Sequence, residues 1–547
     1  LGSLIIRGES QPASPARVRL SHHRPLIGRE DIVQELLNCW AETQAGRGQL
    51  VFVAGETGIG KTRLTQEIAM RVGAGTLLVG HCQALEGSLA YQPFIEALQT
   101  YFVTAPPGLA DQEVGRLLSN VARLVPEIHS ILPGLPETPA LDPKQEQLRL
   151  MNSLAQYIER ATQEHPWLLI LDDLHWADQS SLQLLHYLAR HCASMSLLII
   201  GTYRDTDLET SHPLLEMMQG LQRSPGHRTF TLSRLNQAEV GQMLVDMWGE
   251  AVPGTLREKI YQGTEGNPFY VEEVTKGLMD EGVVKWQDGT WNFSTPEEIR
   301  LPQSVRDAVL RRIAYLDRPT QGLLRRAAVL GRTFNFDDLR EMSDQSEWSI
   351  LEDLDVALER QLIHEAPGET MLRFSHAEIQ QVLYEELSLL RRRLLHRQAG
   401  EALERRYLSD PNRRMAEELA HHFDQASEIE KALVYSIQAA RHADRAYASQ
   451  AALMWYGRAL MLLDQLDLQE STLEQRFDLL LARERIYSRQ GIRDKQAADL
   501  GAAQAVAEGL NNPTRLAMAN NRQAYYYRLI NDYERSIDYG DQALAAA

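Results

Sequence analysis

Gly55-Glu56-Thr57-Gly58-Ile59-Gly60-Lys61-Thr62 fits the spacing G-x-x-x-x-G-K-[ST], directly after the apolar run Leu50–Ala54 and directly before a helical run. Glycines at these positions let the backbone aim successive N–H groups at phosphate oxygens. The helix that follows adds its positive N-terminal end. In such a loop Lys61 meets the β- and γ-phosphates of a nucleotide, and the Thr62 hydroxyl ligates magnesium. Gly55 through Arg63 are therefore candidate nucleotide-binding residues, the alternative being a chance glycine-rich turn. A second acidic element follows. Trp167–Leu171 reads as a buried strand that ends in Asp172-Asp173. There Asp172 is placed to hold the magnesium shell, and Asp173 to orient or deprotonate an attacking water. The competing reading is that the pair caps the next helix. A third strand, Leu197–Thr202, ends in Tyr203-Arg204-Asp205. Arg204 then lies on the side of a parallel sheet where ligands bind, as a phosphate sensor or as a surface ion pair.

These residues need a scaffold, and the chain supplies one. Between Pro25 and Arg234, apolar strand runs alternate with longer helical patterns, which predicts a parallel α/β sheet. The predicted strands are Leu50–Ala54, Thr76–Gly80, Trp167–Leu171, Leu197–Thr202 and Thr229–Leu232. Residues 235–300 read as a helical segment closed by a hairpin, Val283–Trp286 against Thr290–Phe293, turned at Gln287-Asp288-Gly289. Residues 301–400 combine helices with a second hairpin, Leu362–Glu365 against Met371–Phe374, which makes a winged-helix arrangement the expectation. Residues 401–547 hold only amphipathic helices rich in Ala, Leu, Arg and Gln. Ala452, Tyr456 and Ala459 share a spacing with Ala498, Ala502, Ala505 and with Ser536, Gly540, Ala543. Small residues so placed let helices nest, as in tetratricopeptide repeats, although the interval is not a constant 34 residues. Generic helical packing is the alternative.

Composition bounds the function. At 547 residues the chain exceeds a single core and should divide into about three to five domains. Apolar and charged fractions of 44% and 24% are those of a globular protein. A formal charge of −18 argues against a surface that tracks a phosphate backbone throughout. Three cysteines, with no pair at metal-ligand spacing, argue against a disulfide framework or zinc site and for a reducing cytoplasm. The longest apolar runs are too short to cross a bilayer, and no signal peptide leads the chain. It opens at Leu1 and ends in an alanine run at Ala547, the expectation being a piece of a longer protein. Residues 1–24 read as a linker or the tail of an upstream domain, with Leu4-Ile5-Ile6 and Val18-Arg19-Leu20 as a possible small hairpin.

The set Ile27-Gly28-Arg29-Glu30, Gly55–Thr62, Asp172-Asp173-Leu174-His175-Trp176-Ala177-Asp178 and Thr202-Tyr203-Arg204-Asp205 resembles the STAND class of signalling ATPases, which are AAA+-related switch proteins. Gly263 through Glu273, with its Gly266-Asn267-Pro268, is similar to the lid element of the bacterial maltose-regulator branch, and Phe374-Ser375-His376 to that branch's winged-helix signature. The resemblance spans about Pro25 to Tyr407. It implies an α/β P-loop NTPase domain followed by a helical lid, a winged-helix domain and an all-α, TPR-like repeat region. It implies ATP or ADP with Mg2+ as the ligands, adenine being inferred from the family alone. Ile27, Gly28 and Arg29 would line the adenine side, Pro268 would pack on adenine and ribose, and His376 would reach the β-phosphate of ADP, a buried structural histidine being the alternative. Where AAA+ motors usually carry Glu, this chain has the shorter Asp173, which implies slow hydrolysis, and no arginine-finger candidate is evident. The implied cycle is a closed ADP form, opened by a signal on the repeats, and an ATP form that self-associates and drives an output domain.

Two other function classes stay open. One is a constitutive ATPase or kinase acting on a small substrate. The other is a DNA-binding regulator using the winged helix, with Arg391-Arg392-Arg393 and Arg397 as its basic residues. A run of arginines on a helix is more often a solvated face, and nucleic acid is not expected for residues 1–547. Leu1 through Pro12 is also similar to the segment that follows class III nucleotide cyclase domains ahead of this kind of ATPase, an arbitrary linker being the alternative.

Overall fold

The computed structural model describes residues 26–547 except 74, 83–89, 105–111, 137–142, 210, 222–225, 250–251, 288–289, 294–300, 367–369, 410–414 and 468. The segment Leu1 to Arg24, with its suggested hairpin and cyclase-like stretch, and the turns at Asp288-Gly289 and Pro367-Gly368 lie outside the described residues.

Five strands, β1 Gln49–Ala54, β2 Thr76–His81, β3 Trp167–Asp172, β4 Leu197–Tyr203 and β5 His227–Thr231, form one sheet in the order β2-β3-β4-β1-β5. All its pairings are parallel. Every residue of β1, β3 and β4 is buried, which is why these strands read as unbroken apolar runs. Alternation sorts their side chains between two cores. Val51, Val53, Leu168, Ile170, Leu198 and Ile200 meet the helices Glu30–Gln44 and Lys61–Arg71. Leu50, Phe52, Leu169, Leu171, Leu197 and Ile199 face the other way, among residues of Gln92–Thr104, Pro143–Glu164 and Gln179–His191. β1 and β3 are not neighbours. The C-terminal end of β4 lies between them, so Thr202 stands where the glycine loop and the acidic pair converge.

Three helices follow, Gln237–Trp248, Gly254–Thr264 and Pro268–Asp280, sharing an apolar core with the antiparallel hairpin β6 Val284–Gln287 and β7 Thr290–Phe293. Next comes a helical group around a three-stranded antiparallel sheet, in the order β8-β10-β9: β8 Thr333–Asn335, β9 Ile363–Glu365 and β10 Met371–Phe374. The second hairpin read from the sequence is the β9–β10 pair; β8 was not foreseen. From Leu389 onward the described residues form successive helices, ending with Tyr533–Ala546.

One packing register needs correction. Ala452, Tyr456 and Ala459 are buried, but Ala498, Ala502 and Ala505 are exposed. The inward residues of Arg493–Gly509 are Gln496, Asp499, Leu500, Ala503 and Ala507, of which Gln496, Leu500 and Ala503 repeat the same spacing displaced by two positions. Alanines surround this helix on every side, so small size alone did not mark the packed face. The C-terminal helices also fold back on the first domain. Arg123 Nη1 donates to Tyr447 Oη at 3.0 Å, and one continuous apolar cluster joins the two.

Candidate functional site

The glycine loop is set by backbone geometry. Gly58 and Gly60 hold φ values of 75° and 101°, a region that penalises a Cβ. A Cβ on Gly60 would meet nothing within 4 Å, whereas one on Gly58 would lie 2.9 Å from Phe269 and 3.0 Å from Asn267. The loop is thus open on one side and covered by the second domain on the other. Lys61 starts the helix Lys61–Arg71, and its Nζ donates to the carbonyls of Gly55 at 2.7 Å and Glu56 at 3.0 Å. Burial pushes the Lys61 pKa down, against the opposing pull of Asp173 and Asp172. Ile59 is fully buried, and Arg63 pairs with Glu67 at 3.3 Å.

The acidic pair sits at the end of β3. Thr62 Oγ1 donates to Asp172 Oδ2 at 3.0 Å, and Thr202 Oγ1 donates to Asp172 Oδ1. The Thr202 hydroxyl also accepts from the Asp173 backbone N–H at 2.9 Å. Asp173 adopts the left-handed region at φ 60°, which turns its carboxylate out of the strand direction. Burial would raise the Asp172 pKa, but Arg332 above all, then His81 and the two threonine hydroxyls, leave it below the usual range. Asp173 is pushed up to about 6 by burial and by the neighbouring Asp172 charge. Asp173 stands at the N-cap position of the short 3-10 helix Leu174–Trp176 without a side-chain capping bond, and neither aspartate caps the α-helix Gln179–His191. That role falls to Asp178, whose Oδ1 accepts from Ser180 and Ser181 N–H at 2.8 and 3.0 Å.

Arg204, at the end of β4, lies 3.4 Å from Asp207 and 3.8 Å from Glu378. Its backbone N–H donates to His175 Nδ1 at 3.4 Å. His175 is buried, and burial followed by the Arg204 charge takes its pKa down to about 3, so it is a neutral acceptor.

The second domain closes over the loop through its Gly-Asn-Pro element. Asn267 Nδ2 donates to Glu56 Oε1 and to the Thr57 carbonyl, both at 3.0 Å, and Phe269 N–H donates to the Gly58 carbonyl at 3.2 Å. Asn267 also caps Pro268–Asp280, with Pro268 in the first turn. Arg234 bridges the loop to this element by pairing with Glu56 at 2.8 Å and with Glu265. On the far side, Ile27 and Gly28 lie in a turn, and Arg29 is buried, donating to the Gly28 carbonyl at 3.2 Å and to the Ser233 carbonyl. His376 is removed from the loop by one residue: its ring packs 4.2 Å from that of Phe269, and its Nε2 lies 3.9 Å from Glu272.

Sequence reasoning missed the third domain's contribution. Arg332 Nη1 lies 3.8 Å from Asp172 Oδ2 and 3.5 Å from Asp173 Oδ2. Arg373 Nη1 approaches His81 Nε2 at 3.3 Å, and His81 Nδ1 is 2.8 Å from Glu96. No local pattern marks these residues; only the fold brings them to the sheet edge. The residues present fit a magnesium nucleotide. The Thr62 hydroxyl and the Asp172 and Asp173 carboxylates are hard oxygen donors, the set magnesium takes. The loop presents amides and Lys61 to phosphates.

Residues 25–200 match the family model of the AAA ATPase domain. An uncharacterized protein of Rhizobium meliloti (strain 1021) is 24% identical over 471 residues, 81% of this chain; the chain spans only 43% of that relative's length. Among solved structures, a STAND protein with a tetratricopeptide repeat sensor from Pyrococcus horikoshii is similar over 95% of this chain and 77% of its own, at 13% identity and a TM-score of 0.44. The Aeropyrum pernix ORC1 protein in complex with DNA covers 66% of this chain and 93% of its own, at 13% identity and a TM-score of 0.30. The Thermotoga maritima RuvB Holliday junction branch migration motor covers 66% and 96%, at 14% identity and a TM-score of 0.26. No helix among the described residues is long and apolar enough to cross a membrane.

Proposed function

We propose that this chain, whose residues 25–200 carry an AAA ATPase domain, is an ATP/ADP-dependent signalling switch of the STAND kind. It binds magnesium ATP, hydrolyses it slowly and couples nucleotide state to self-association and to an output domain elsewhere in the protein. Gly55 through Arg63 would cradle the phosphates, with Lys61 leaving its carbonyl partners to meet them. Thr62 and Asp172 would hold Mg2+, whose role when bound is to neutralise charge developing on the transferred phosphoryl group. Asp173 would orient the water, Arg204 would sense the γ-phosphate, and Ile27 through Arg29 with Pro268 would flank the base. His376, touching Phe269, would act through the lid.

The observation that carries this reading is convergence. The ATPase core (25–234), the lid (235–300) and the domain we read as a winged helix (301–400) all place side chains around one loop: Asn267 on Glu56 and Arg332 beside Asp172 and Asp173. Such a site can report its ligand to three bodies at once. A ligand shifts their arrangement only by its differential affinity for the two states. Slow turnover is supported by Asp173, whose carboxylate is short and faces Arg332. The helices of 401–547 would receive a protein or small-molecule signal. Arg392, one of the basic residues that pointed to DNA, donates instead to the carbonyls of Tyr384 at 3.2 Å and Glu385 at 2.8 Å.

The test is to denature the purified protein and identify the nucleotide it releases. Near-stoichiometric ADP supports a closed resting switch. An empty site with fast steady-state ATP turnover would sink it in favour of a constitutive ATPase.

A further inference from the structure

Arg332 stands in an unusual position for a residue of the third domain. Its carbonyl accepts from Phe374 N–H at 2.9 Å, so its backbone is locked into the end of the β8-β10-β9 sheet. Its side chain leaves that sheet and enters the ATPase domain, where Nη1 faces both aspartates. Its Nε is buried with no hydrogen-bond partner among the described residues. The nearest carboxylate oxygens, at 3.5 and 3.8 Å, are at ion-pair rather than hydrogen-bond range. The guanidinium is held there by charge, and the same Oδ2 of Asp172 that it faces accepts the Thr62 hydroxyl at 3.0 Å.

We propose that Arg332 is the chain's internal counter-cation for the Asp172–Asp173 pair and competes with the divalent metal for Asp172 Oδ2. Metal binding and release of the β8 edge from the ATPase domain are then one linked equilibrium. The inference rests on the reading of Thr62 and Asp172 as the metal site. A buried carboxylate, Asp172, with the half-buried Asp173 beside it needs a positive partner, and Lys61 and Arg204 belong to the ATPase domain itself. Among the described residues, Arg332 alone of the pair's direct ion partners comes from another domain. A dication arriving at Thr62 and Asp172 turns the Arg332 attraction into repulsion at short range, where screening by salt is weak. Linkage is reciprocal: whatever Arg332 takes from metal affinity, the metal takes from the attachment of β8.

The experiment is a magnesium titration of ATP binding, by equilibrium dialysis with ATP itself, on the full chain and on Arg332→Gln and Arg332→Lys. For Arg332→Gln, the Mg2+ concentration giving half-maximal ATP binding should fall by about fivefold to tenfold, the range of a modest coupling. Arg332→Lys, which keeps the charge, should stay close to wild type. An unchanged midpoint in a folded Arg332→Gln protein overturns the inference. A wild-type chain that binds no ATP at any Mg2+ concentration overturns the nucleotide-site reading itself. Hydrogen exchange on the wild type gives a readout independent of the variant's folding. Amides of Thr333–Asn335 and Met371–Phe374 should exchange faster with ATP and Mg2+ than with ATP and a chelator. Equal exchange under the two conditions also overturns the inference.

Discussion

Lys61 donates to two carbonyls of its own loop, and those bonds are the kind a phosphate would replace with stronger, charge-assisted ones. Lys61→Ala should therefore weaken ATP binding by about 100-fold, roughly the loss of one or two such contacts, measured by calorimetry against an unchanged fold. Asp173→Asn keeps the shape but removes the charge, and with it the proposed base. ATP binding should survive while single-turnover hydrolysis falls by about 10²-fold or more. Both residues were legible in the sequence because each lies in a contiguous string whose spacing has a chemical reason. Arg332, Arg234 and His81 were not. Their partners are far off in the chain or on another strand, and an arginine after a glycine carries no signal until the sheet of which it is part exists.

At the scale of elements, two contacts are exposed to test. Glu273 in the helix Pro268–Asp280 is fully buried and takes both its oxygens to Arg312 Nη1 at 2.7 Å, tying that helix to Val305–Ala314. Arg312→Leu leaves the buried Glu273 carboxylate with only Lys276, at 3.8 Å, as an ion partner and should cost about 3 kcal/mol in urea unfolding. Adding Glu273→Leu should recover much of that loss. At the junction of Leu389–Ser409 and Ala416–Gln425, His396 Nδ1 lies 2.9 Å from His422 Nδ1. Burial first, then the charges of His421 and Arg392, lower the His396 pKa to about 3. An unfolded histidine takes a proton as pH falls through about 6.5, whereas this one stays neutral, so its contribution is complete above pH 6.5 and is lost on acidification. The stability lost between pH 7 and pH 5 should be smaller by about 2 kcal/mol in His396→Gln than in wild type. The strands of the parallel sheet were legible because burial on both faces leaves unbroken apolar runs. β8 was not, since three residues, Thr333-Phe334-Asn335, show no period. The register of Arg493–Gly509 was misread because Ala498, Ala502 and Ala505 fit a buried face and an exposed one equally well.

For the whole molecule, the chain carries its catalytic candidates in the first 205 residues and folds the rest back over them. Asn267, Arg332 and Tyr447, each from a different part of the chain, all touch the ATPase domain. That arrangement was only half visible in the sequence: a parallel α/β sheet followed by a helical tail was legible in apolar runs and motifs, but which surfaces meet depends on side chains scattered across several hundred residues. On the proposed switch, nucleotide identity sets this packing. Sedimentation velocity of the nucleotide-stripped chain with saturating ADP, and then with saturating ATP and Mg2+, tests it most directly. The expected result is a compact monomer with ADP, and with ATP a more extended or self-associated species that returns to monomer as hydrolysis proceeds. Identical sedimentation with the two nucleotides, each shown to be bound, would contradict the switch.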